Sequence, residues 1–253
     1  MKQIFCPDCH RRDFLRAATA GSAALFTSAG AFAEALSLTP FQTEGPFYPD
    51  KLPLDTDNDL IIMNDSVTPS VGEITHLHGR VLDKSGEPAA GAVVELWMAD
   101  ANGCYIHSQG AARGQERDGN FQGFGRFRTA SDGRYYFRAI KPVPYGPRTA
   151  HYHVAVYRGG KRVLTTQCYI KGQELNKTDR ILNSVTDKKL RDLLITEFKP
   201  VKGSKAGELE ANWDIIVGLT PEDRGQDKGR KGPGTGFRPD GKGKGKGKGK
   251  GNR

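Results

Sequence analysis

Seven short segments, each rich in β-branched and aromatic residues, follow one another through the middle of this chain with turn residues between them. The segments cover residues 74–83, 92–100, 124–130, 134–141, 150–158, 162–170 and 212–219. Typical turn signals are Ser-Asp-Gly at 131–133 and Arg-Gly-Gly-Lys at 158–161, the second typical of a tight hairpin. About seven short strands with regular turns predict an all-β fold, specifically an antiparallel β-sandwich.

One longer segment, residues 176–198, interrupts the strand pattern. Its apolar residues recur at helical spacing in two groups, Ile181, Leu182 and Val185, then Leu190, Leu193 and Leu194. This spacing predicts one or two short helices packed on the sandwich. No stretch of the chain is apolar for the ~20 residues that a membrane-spanning helix needs, so the sequence predicts no transmembrane span.

The net charge of +9 belongs to the two ends of the chain. Residues 221–253 hold eleven Lys and Arg against four Asp and Glu, and residues 1–33 hold four against two. The body between them, 34–220, is neutral, so its composition indicates no specific nucleic-acid partner. The Lys-Gly repeats of 221–253 predict a disordered tail, because almost no large apolar side chain is present to offset the ordering entropy. Two roles stay open for this tail, a solubilising one and contact with anionic polymers or membrane surfaces.

The first 33 residues contain a pair of arginines, Arg11 and Arg12, followed by Phe14 and Leu15, an Ala/Gly-rich run, and Ala-Phe-Ala at 31–33. This order resembles a twin-arginine export signal with a small-residue cleavage site. An ordinary amphipathic N-terminal helix is the alternative. The resemblance implies that the export machinery is a partner, that the mature chain starts near residue 34, and that it works in the periplasm or outside the cell.

Two of the four cysteines lie in the predicted signal and two in the body of the chain. Cys6 and Cys9 form a CPDC motif, but it lies in the segment to be removed. Cys104 and Cys168 remain. In an oxidising compartment they are either joined by a disulfide or kept as two buried thiols, and the sequence does not decide between these alternatives.

Two pairs of histidines alternate along predicted strands, and one pair has chemically interesting neighbours. His151 and His153 would face the same side of their strand, as would His76 and His78. Only the first pair follows a tyrosine and an arginine closely in sequence, and these are Tyr145 and Arg148. The spacing alone therefore decides little, and the second pair is interpreted as structural.

A further tyrosine, Tyr105, lies just past the end of an apolar strand, where loops carry functional side chains on a rigid scaffold. Two phenols and two imidazoles form an unusual set of metal ligands. Zinc favours Cys, His and carboxylate, and ferrous oxygenases favour two His and one carboxylate. Phenol, with a pKa near ~10, ionises at neutral pH only on a strongly Lewis-acidic ion, so the set indicates ferric iron.

Three longer blocks, "GRVLDKSGEPAAGAVVELWMADANGCYIH", "GFGRFRTASDGRYYFRAIKPVPYGPRTAHYHVAV" and "LTTQCYIKG", resemble the intradiol ring-cleavage dioxygenases, most of all the protocatechuate 3,4-dioxygenase β-chain type. The resemblance runs from about Thr39 to Leu219. It implies a β-sandwich that holds a mononuclear, non-haem Fe(III). It also implies an enzyme that uses O2 to cleave a catechol-type ring between its hydroxyl-bearing carbons, giving a muconate-type diacid.

Carried over residue by residue, the resemblance implies two equatorial iron ligands, Tyr105 and His151, and two axial ones, Tyr145 and His153. Tyr145 would also accept a proton from the substrate. Arg148 would stabilise charge that develops on the substrate, and Gln167 would lie near the substrate and O2. The alternatives are a surface ion pair for Arg148 and an edge amide for Gln167.

Two features leave room for other interpretations. The connection between Tyr145 and His151 is short, so the identity of the catechol stays open. The stretch "FQTEGPFYPD" resembles a segment near the family's pocket, and Gly45 to Tyr48 would either touch substrate or form a plain turn. The rival function is a non-catalytic module, because residues 79–96 also fit the start of transthyretin-like and carboxypeptidase-regulatory-like sandwiches. Such modules have no need of two tyrosines and two histidines together.

Overall fold

The computed structural model describes residues 36–63, 68–110 and 114–218, and these form ten strands and three short helical segments. The strands are β1 (Ile74–Asp83), β2 (Val93–Trp97), β3 (Phe124–Arg128), β4 (Arg134–Ile140), β5 (His151–Arg158), β6 (Lys161–Ile170), β7 (Ile195–Thr196), β8 (Phe198–Pro200), β9 (Leu209–Asn212) and β10 (Ile215–Val217). The predicted signal peptide, 1–33, and the predicted tail, 221–253, lie outside the described residues.

The strands form two sheets of five. The first has the order β10-β1-β9-β8 with β4 also paired to β1, and the second has the order β3-β2-β5-β6-β7. The predicted β-sandwich is confirmed. Both sheets are mixed, because β1 pairs in parallel with β9 and β10, and β6 pairs in parallel with β7, while the other pairings are antiparallel.

The main core lies between the inner faces of the two sheets. Leu77 of β1 and Phe137 of β4 pack in one cluster with Val94 of β2 and Val154 of β5, and each is at most 1% exposed. Alternation along a strand sends every second residue to this core and the others to the outer face. The outer faces of the two sheets therefore carry the even-numbered residues of β1 and the odd-numbered residues of β5.

The outer face of the second sheet is covered, and that of the first is not. Residues of β5 are buried on both faces, whereas those of β1 alternate between buried and half-buried over its first six positions. The cover over the second sheet includes Tyr48, and Phe47 packs against the same aromatic cluster. A strand that is enclosed on both sides can hold polar side chains away from water on its outer face.

The predicted short helices are confirmed, and together they cover less of the chain than the predicted segment 176–198. It contains two 3-10 helices, Glu174–Lys177 and Leu182–Ser184, and one α-helix, α1 (Lys188–Asp192), whose first turn is capped by Asp187. Helical structure ends before Ile195 because this residue pairs with Tyr169 of β6. Within the described ranges, no helix is long and apolar enough to cross a membrane.

Two smaller predictions about turns and cysteines are settled by the structure. Gly159 and Gly160 connect β5 to β6 with φ of 56° and 78°, the left-handed values that a tight hairpin turn requires. Cys104 and Cys168 are both buried and no disulfide joins them, so the disulfide alternative is not the one observed.

Candidate metal centre

Four side chains from three parts of the chain meet on the outer face of the second sheet. His151 and His153 start β5, and each is 2% exposed. Tyr145 lies in the loop before β5, and Tyr105 lies in the loop that follows β2. We call Tyr105, Tyr145, His151 and His153 the donor cluster.

The loop that carries Tyr105 is folded around a buried carboxylate. Asp100 accepts hydrogen bonds from the backbone N–H groups of Asn102 and Cys104 through Oδ1, at 2.9 Å each, and from that of Asp118 through Oδ2, at 2.7 Å. The backbone N–H of Tyr105 then donates to the carbonyl of Gly110 at 2.8 Å. These bonds give the loop a fixed path even though it has no regular secondary structure.

The four donor atoms of the cluster form a closed ring. Tyr105 Oη lies 3.0 Å from Tyr145 Oη and 3.0 Å from His153 Nε2. His151 Nε2 lies 3.1 Å from His153 Nε2 and 3.4 Å from Tyr145 Oη. All four predicted ligands are therefore brought together at one point.

Burial keeps the donor cluster uncharged in the protein alone. It lowers the pKa of His151 to about 3, with a further contribution from the charge of Arg148, and it lowers the pKa of His153 well below the usual range. Burial also raises the pKa of Tyr105 and Tyr145. His151 Nδ1 lies 2.6 Å from the carbonyl oxygen of Thr149, which fixes a tautomer with the Nε2 lone pair directed at the ring.

This donor set fits a strongly Lewis-acidic cation. Two ligand atoms that share one ion at about 2.0–2.2 Å lie roughly 3.0–3.5 Å apart, and all four edges of the ring are in that range. Neutral imidazoles are ready to bind metal, whereas the phenols must lose protons to a cation that strongly attracts oxygen ligands. No group of three or more His, Cys, Asp or Glu side chains suited to a metal occurs within the described part of the chain. The tyrosines are thus essential to the set.

Aromatic rings and the segment around Gly45 enclose the cluster. Trp97 lies parallel to His153 with ring centroids 5.0 Å apart, and Phe47 stacks on Tyr105 at 5.1 Å. A Cβ added to Gly45 would lie 3.4 Å from His153 Cε1. The stretch from Gly45 to Tyr48 includes a turn and also lies against the donor cluster, so the two interpretations of this stretch are compatible.

Arg148 and Gln167 contact each other beside the cluster. Arg148 Nη2 donates to Gln167 Oε1 at 2.5 Å, and Gln167 Nε2 donates to the carbonyl of Thr43 at 2.9 Å. Gln167 pairs with His153 across β5 and β6, so the two side chains share the outer face of the sheet. Arg148 forms an ion pair with Asp179 rather than with a surface residue.

The second histidine pair has the same strand geometry and a different environment. His76 and His78 lie on the outer face of the first sheet and are half-buried. His76 Nδ1 lies 2.6 Å from Tyr136 Oη, and its Nε2 lies 3.4 Å from Glu208 Oε1. The sequence neighbourhood of the pair did not reveal these polar partners, because they come from β4 and the segment before β9.

Three residues near the cluster were not singled out from the sequence. Tyr169 packs on His151, with ring centroids 5.7 Å apart, and its position two residues after Gln167 on one strand could have indicated it. Trp97 ends β2 directly opposite His153, and this pairing has no local sequence signal. Asp179 lies between the two 3-10 helices, and no sequence pattern around it indicates a place near the cluster.

A family model described as "Dioxygenase" matches residues 43–218 of the chain. The chain belongs to this dioxygenase family. The protocatechuate 3,4-dioxygenase beta chain of Burkholderia cepacia is 35% identical over 156 residues, which cover 58% of this chain and 65% of that relative. The catechol 1,2-dioxygenase 1 of Acinetobacter lwoffii is 34% identical over 164 residues, covering 57% of this chain and 50% of that relative. The chain thus spans about half to two thirds of the length of these curated relatives.

Solved structures of the same family share the fold. The dioxygenase domain of a dioxygenase carbohydrate-binding protein fusion from Streptomyces sp. SirexAA-E matches with a TM-score of 0.55 at 26% identity, covering 73% of this chain and all of that domain. The 3-chlorocatechol 1,2-dioxygenase of Rhodococcus opacus 1CP matches with a TM-score of 0.55 at 21% identity, which supports the fold alone.

Proposed function

We propose that this protein is an intradiol dioxygenase that cleaves a catechol-type ring with O2 between the two hydroxyl-bearing carbons, giving a muconate-type diacid. The observation that carries the proposal is the closed ring of two phenol oxygens and two imidazole nitrogens in the donor cluster. Relatives named for the cleavage of protocatechuate, catechol and hydroxyquinol support it. They favour an enzyme over the non-catalytic binding module.

The residues proposed to hold a mononuclear, non-haem Fe(III) are those of the donor cluster. The chemistry that ferric iron would supply in such a site is Lewis acidity, which would make the ring of a bound catechol reactive towards O2. Tyr145 is the tyrosine that would take a proton from the substrate, because it is half-buried between exposed loop residues, whereas Tyr105 is 3% exposed. We assign the proton to Tyr145 Oη.

We propose that Arg148 acts on the substrate rather than on the metal, and that Gln167, predicted to lie near the substrate and O2, holds Arg148 there. The charge of Arg148 acts on the proposed ligands, since it opposes the rise that burial causes in the pKa of Tyr145 and adds to the fall that burial causes in the pKa of His151. A guanidinium fixed in this position stabilises negative charge as it develops on the ring during attack by O2. Gln167 orients that guanidinium through its amide oxygen.

Measurement of iron, colour and O2 uptake tests the proposal. The purified protein should contain iron and be red to burgundy, because charge transfer from tyrosinate to Fe(III) absorbs visible light and zinc gives no such band. It should consume O2 with at least one substrate among catechol, hydroxyquinol and protocatechuate, and this screen also identifies the catechol. An iron-loaded protein that is colourless would contradict the two-tyrosine site. A coloured protein that consumes no O2 with any of these substrates would contradict the activity.

We further propose that residues 1–33 direct export by the twin-arginine route and that the enzyme works in the periplasm or outside the cell. The support is the order of Arg11, Arg12, Phe14 and the Ala-Phe-Ala site in the sequence. For the basic tail, a solubilising role and contact with anionic surfaces both stay open, and the second would depend on salt because it would rest on the eleven Lys and Arg.

A further inference from the structure

The carboxylate of Asp179 is completely buried and hydrogen-bonded on both sides. It lies between the two 3-10 helices, and its side chain is 0% exposed. Oδ1 accepts hydrogen bonds from the backbone N–H groups of Ile181 and Leu182, at 2.9 and 3.0 Å. Oδ2 accepts from the backbone N–H of Thr149 at 2.9 Å and from Arg148 Nε at 2.8 Å. One oxygen therefore organises the helical segment, and the other holds the chain that leads into β5.

The guanidinium of Arg148 is held by three hydrogen-bond partners. Its Nε donates to Asp179, its Nη2 donates to Gln167 and, at 3.4 Å, to Tyr169 Oη, and the side chain is 13% exposed. Bonds at two nitrogens of one planar group define both its position and the direction of its plane. The contacts of Nη2 with Gln167 and Tyr169 alone would leave the guanidinium free to pivot about Nη2.

The charge of Asp179 is maintained at neutral pH. Burial alone would raise the pKa of this carboxyl, but the hydrogen bonds from backbone N–H groups and from Arg148 outweigh burial and lower the pKa. A buried carboxylate is costly unless a cation is paired with it, and Arg148 is the cation that is present. The ion pair thus joins two segments that are 31 residues apart in sequence.

We propose that Asp179 is a positioning residue for ring cleavage, which orients the Arg148 guanidinium towards the substrate and does not touch the substrate itself. The inference rests on the proposed function, because it names the residue that makes Arg148 effective. Its physical basis is that a charge stabilises a transition state only when it is fixed in place before the reaction.

The first test compares Asp179→Asn with a matched control, Asp187→Asn. Asp187 also accepts hydrogen bonds from two backbone N–H groups at a helix start, but it is exposed and lies outside the donor cluster and its partners. In Asp179→Asn we expect iron and colour to be retained and kcat to fall by about 10²-fold, as for a displaced catalytic group. Asp187→Asn should leave kcat unchanged. Equal kcat in wild type and Asp179→Asn would overturn the proposal.

The second test is a double-mutant cycle with Arg148→Ala. Arg148→Ala alone should retain colour and lower kcat by about 10²-fold or more. If Asp179 acts through Arg148, adding Asp179→Asn to Arg148→Ala should lower kcat no further, because the group to be oriented is gone. Full additivity of the two losses would show that Asp179 acts in another way and would overturn the proposal.

The third test does not depend on activity. With gallium(III), a diamagnetic ion of the same charge, in place of any iron, the Nε–H proton of Arg148 can be followed by NMR and assigned by its loss in Arg148→Ala. We expect this proton to exchange slowly with solvent in wild type and in Asp187→Asn, and quickly in Asp179→Asn. Rapid exchange in wild type would overturn the proposal even if Asp179→Asn failed to fold. If wild type cleaved no catechol, the proposed function would fail while this measurement still decided whether Asp179 holds Arg148.

Discussion

The two tyrosines of the donor cluster differ in burial and in the contacts that hold them. Tyr105 is 3% exposed, stacks on Phe47 and is tied by its backbone to Gly110. Tyr145 is half-buried, and its backbone exchanges bonds with Arg148 at 2.9 and 3.3 Å. This difference in support agrees with the proposal that Tyr145, rather than Tyr105, takes the proton of the substrate.

The two histidine pairs provide an internal comparison at the residue scale. His151→Ala and His153→Ala each remove one of four donor atoms, so we expect iron retention and ring cleavage to collapse. His76→Ala and His78→Ala change half-buried side chains on the other sheet, so they should lower stability at most and leave iron unchanged. Metal analysis of the four purified variants is the measurement. Iron lost from the 76 and 78 variants and kept in the 151 and 153 variants would place the metal elsewhere.

The position of Tyr105 depends on the absence of a side chain at Gly110. A Cβ at this position would lie 2.7 Å from Tyr105 Cβ and 2.9 Å from its carbonyl oxygen. Gly110→Ala should therefore displace Tyr105, shift or bleach the visible band and lower iron retention. Gly119→Ala is the matched control in the same loop, since a Cβ there meets nothing within 4 Å. A visible spectrum that is unchanged in Gly110→Ala would show that the loop adapts without moving the ligand.

At the scale of elements, the strands that carry the site could be predicted from the sequence, whereas the segments that cover the outer face of the second sheet could not. Alternation and turn residues locate β1 and β5 within one residue of their observed bounds. The short strands β7, β8 and β9 were missed, because two to four residues carry too little pattern and their pairing depends on partners distant in sequence. Which face of β5 receives a cover is likewise a tertiary property. The four proposed ligands were singled out from the residues and given their separate roles by the resemblance, whereas the position of Asp179 depends on a fold that no local pattern encodes.

The close approach of β1 to the chain before β10 depends on Gly79. A Cβ on Gly79 would lie 2.0 Å from the carbonyl oxygen of Trp213. Gly79→Ala must move the two segments apart, and we expect a loss of about 1–3 kcal/mol in the free energy of unfolding, as for other overpacked sites. Denaturant titration measures this loss. Because the donor cluster lies on the other sheet, iron should be retained under native conditions.

The control for this prediction is the next residue of the same strand. Arg80 is exposed, and the hydrogen bond to Asp214 uses its backbone N–H, which a substitution preserves. Arg80→Ala should change the free energy of unfolding by less than about 0.5 kcal/mol. If Gly79→Ala and Arg80→Ala changed the free energy of unfolding equally, the close contact at Gly79 would be relieved without loss of stability.

At the scale of the whole molecule, the site depends on the completed fold. The donor cluster comes from residues 105 to 153 and its cover from residues 43–48, and Gln167 and Asp179 hold Arg148 beside it. An unfolded chain brings none of these together, so the metal is expected to bind during or after folding. A route that exports folded protein, such as the proposed twin-arginine route, would allow iron to be loaded before export.

The arginine pair of the signal offers a test of this route. Export machinery that reads guanidinium groups should discriminate against lysine, because lysine has a compact ammonium in place of the planar fork. Changing Arg11 and Arg12 together to lysine should leave the uncleaved chain inside the cell, folded and coloured, whereas Arg16→Lys, outside the pair, should be exported. Cell fractionation and the N-terminal sequence of the exported protein are the measurements, with a mature start expected near Glu34. Export of the double variant at the wild-type level would contradict the twin-arginine route and leave the ring-cleavage proposal intact, since the donor cluster lies wholly within residues 105–153.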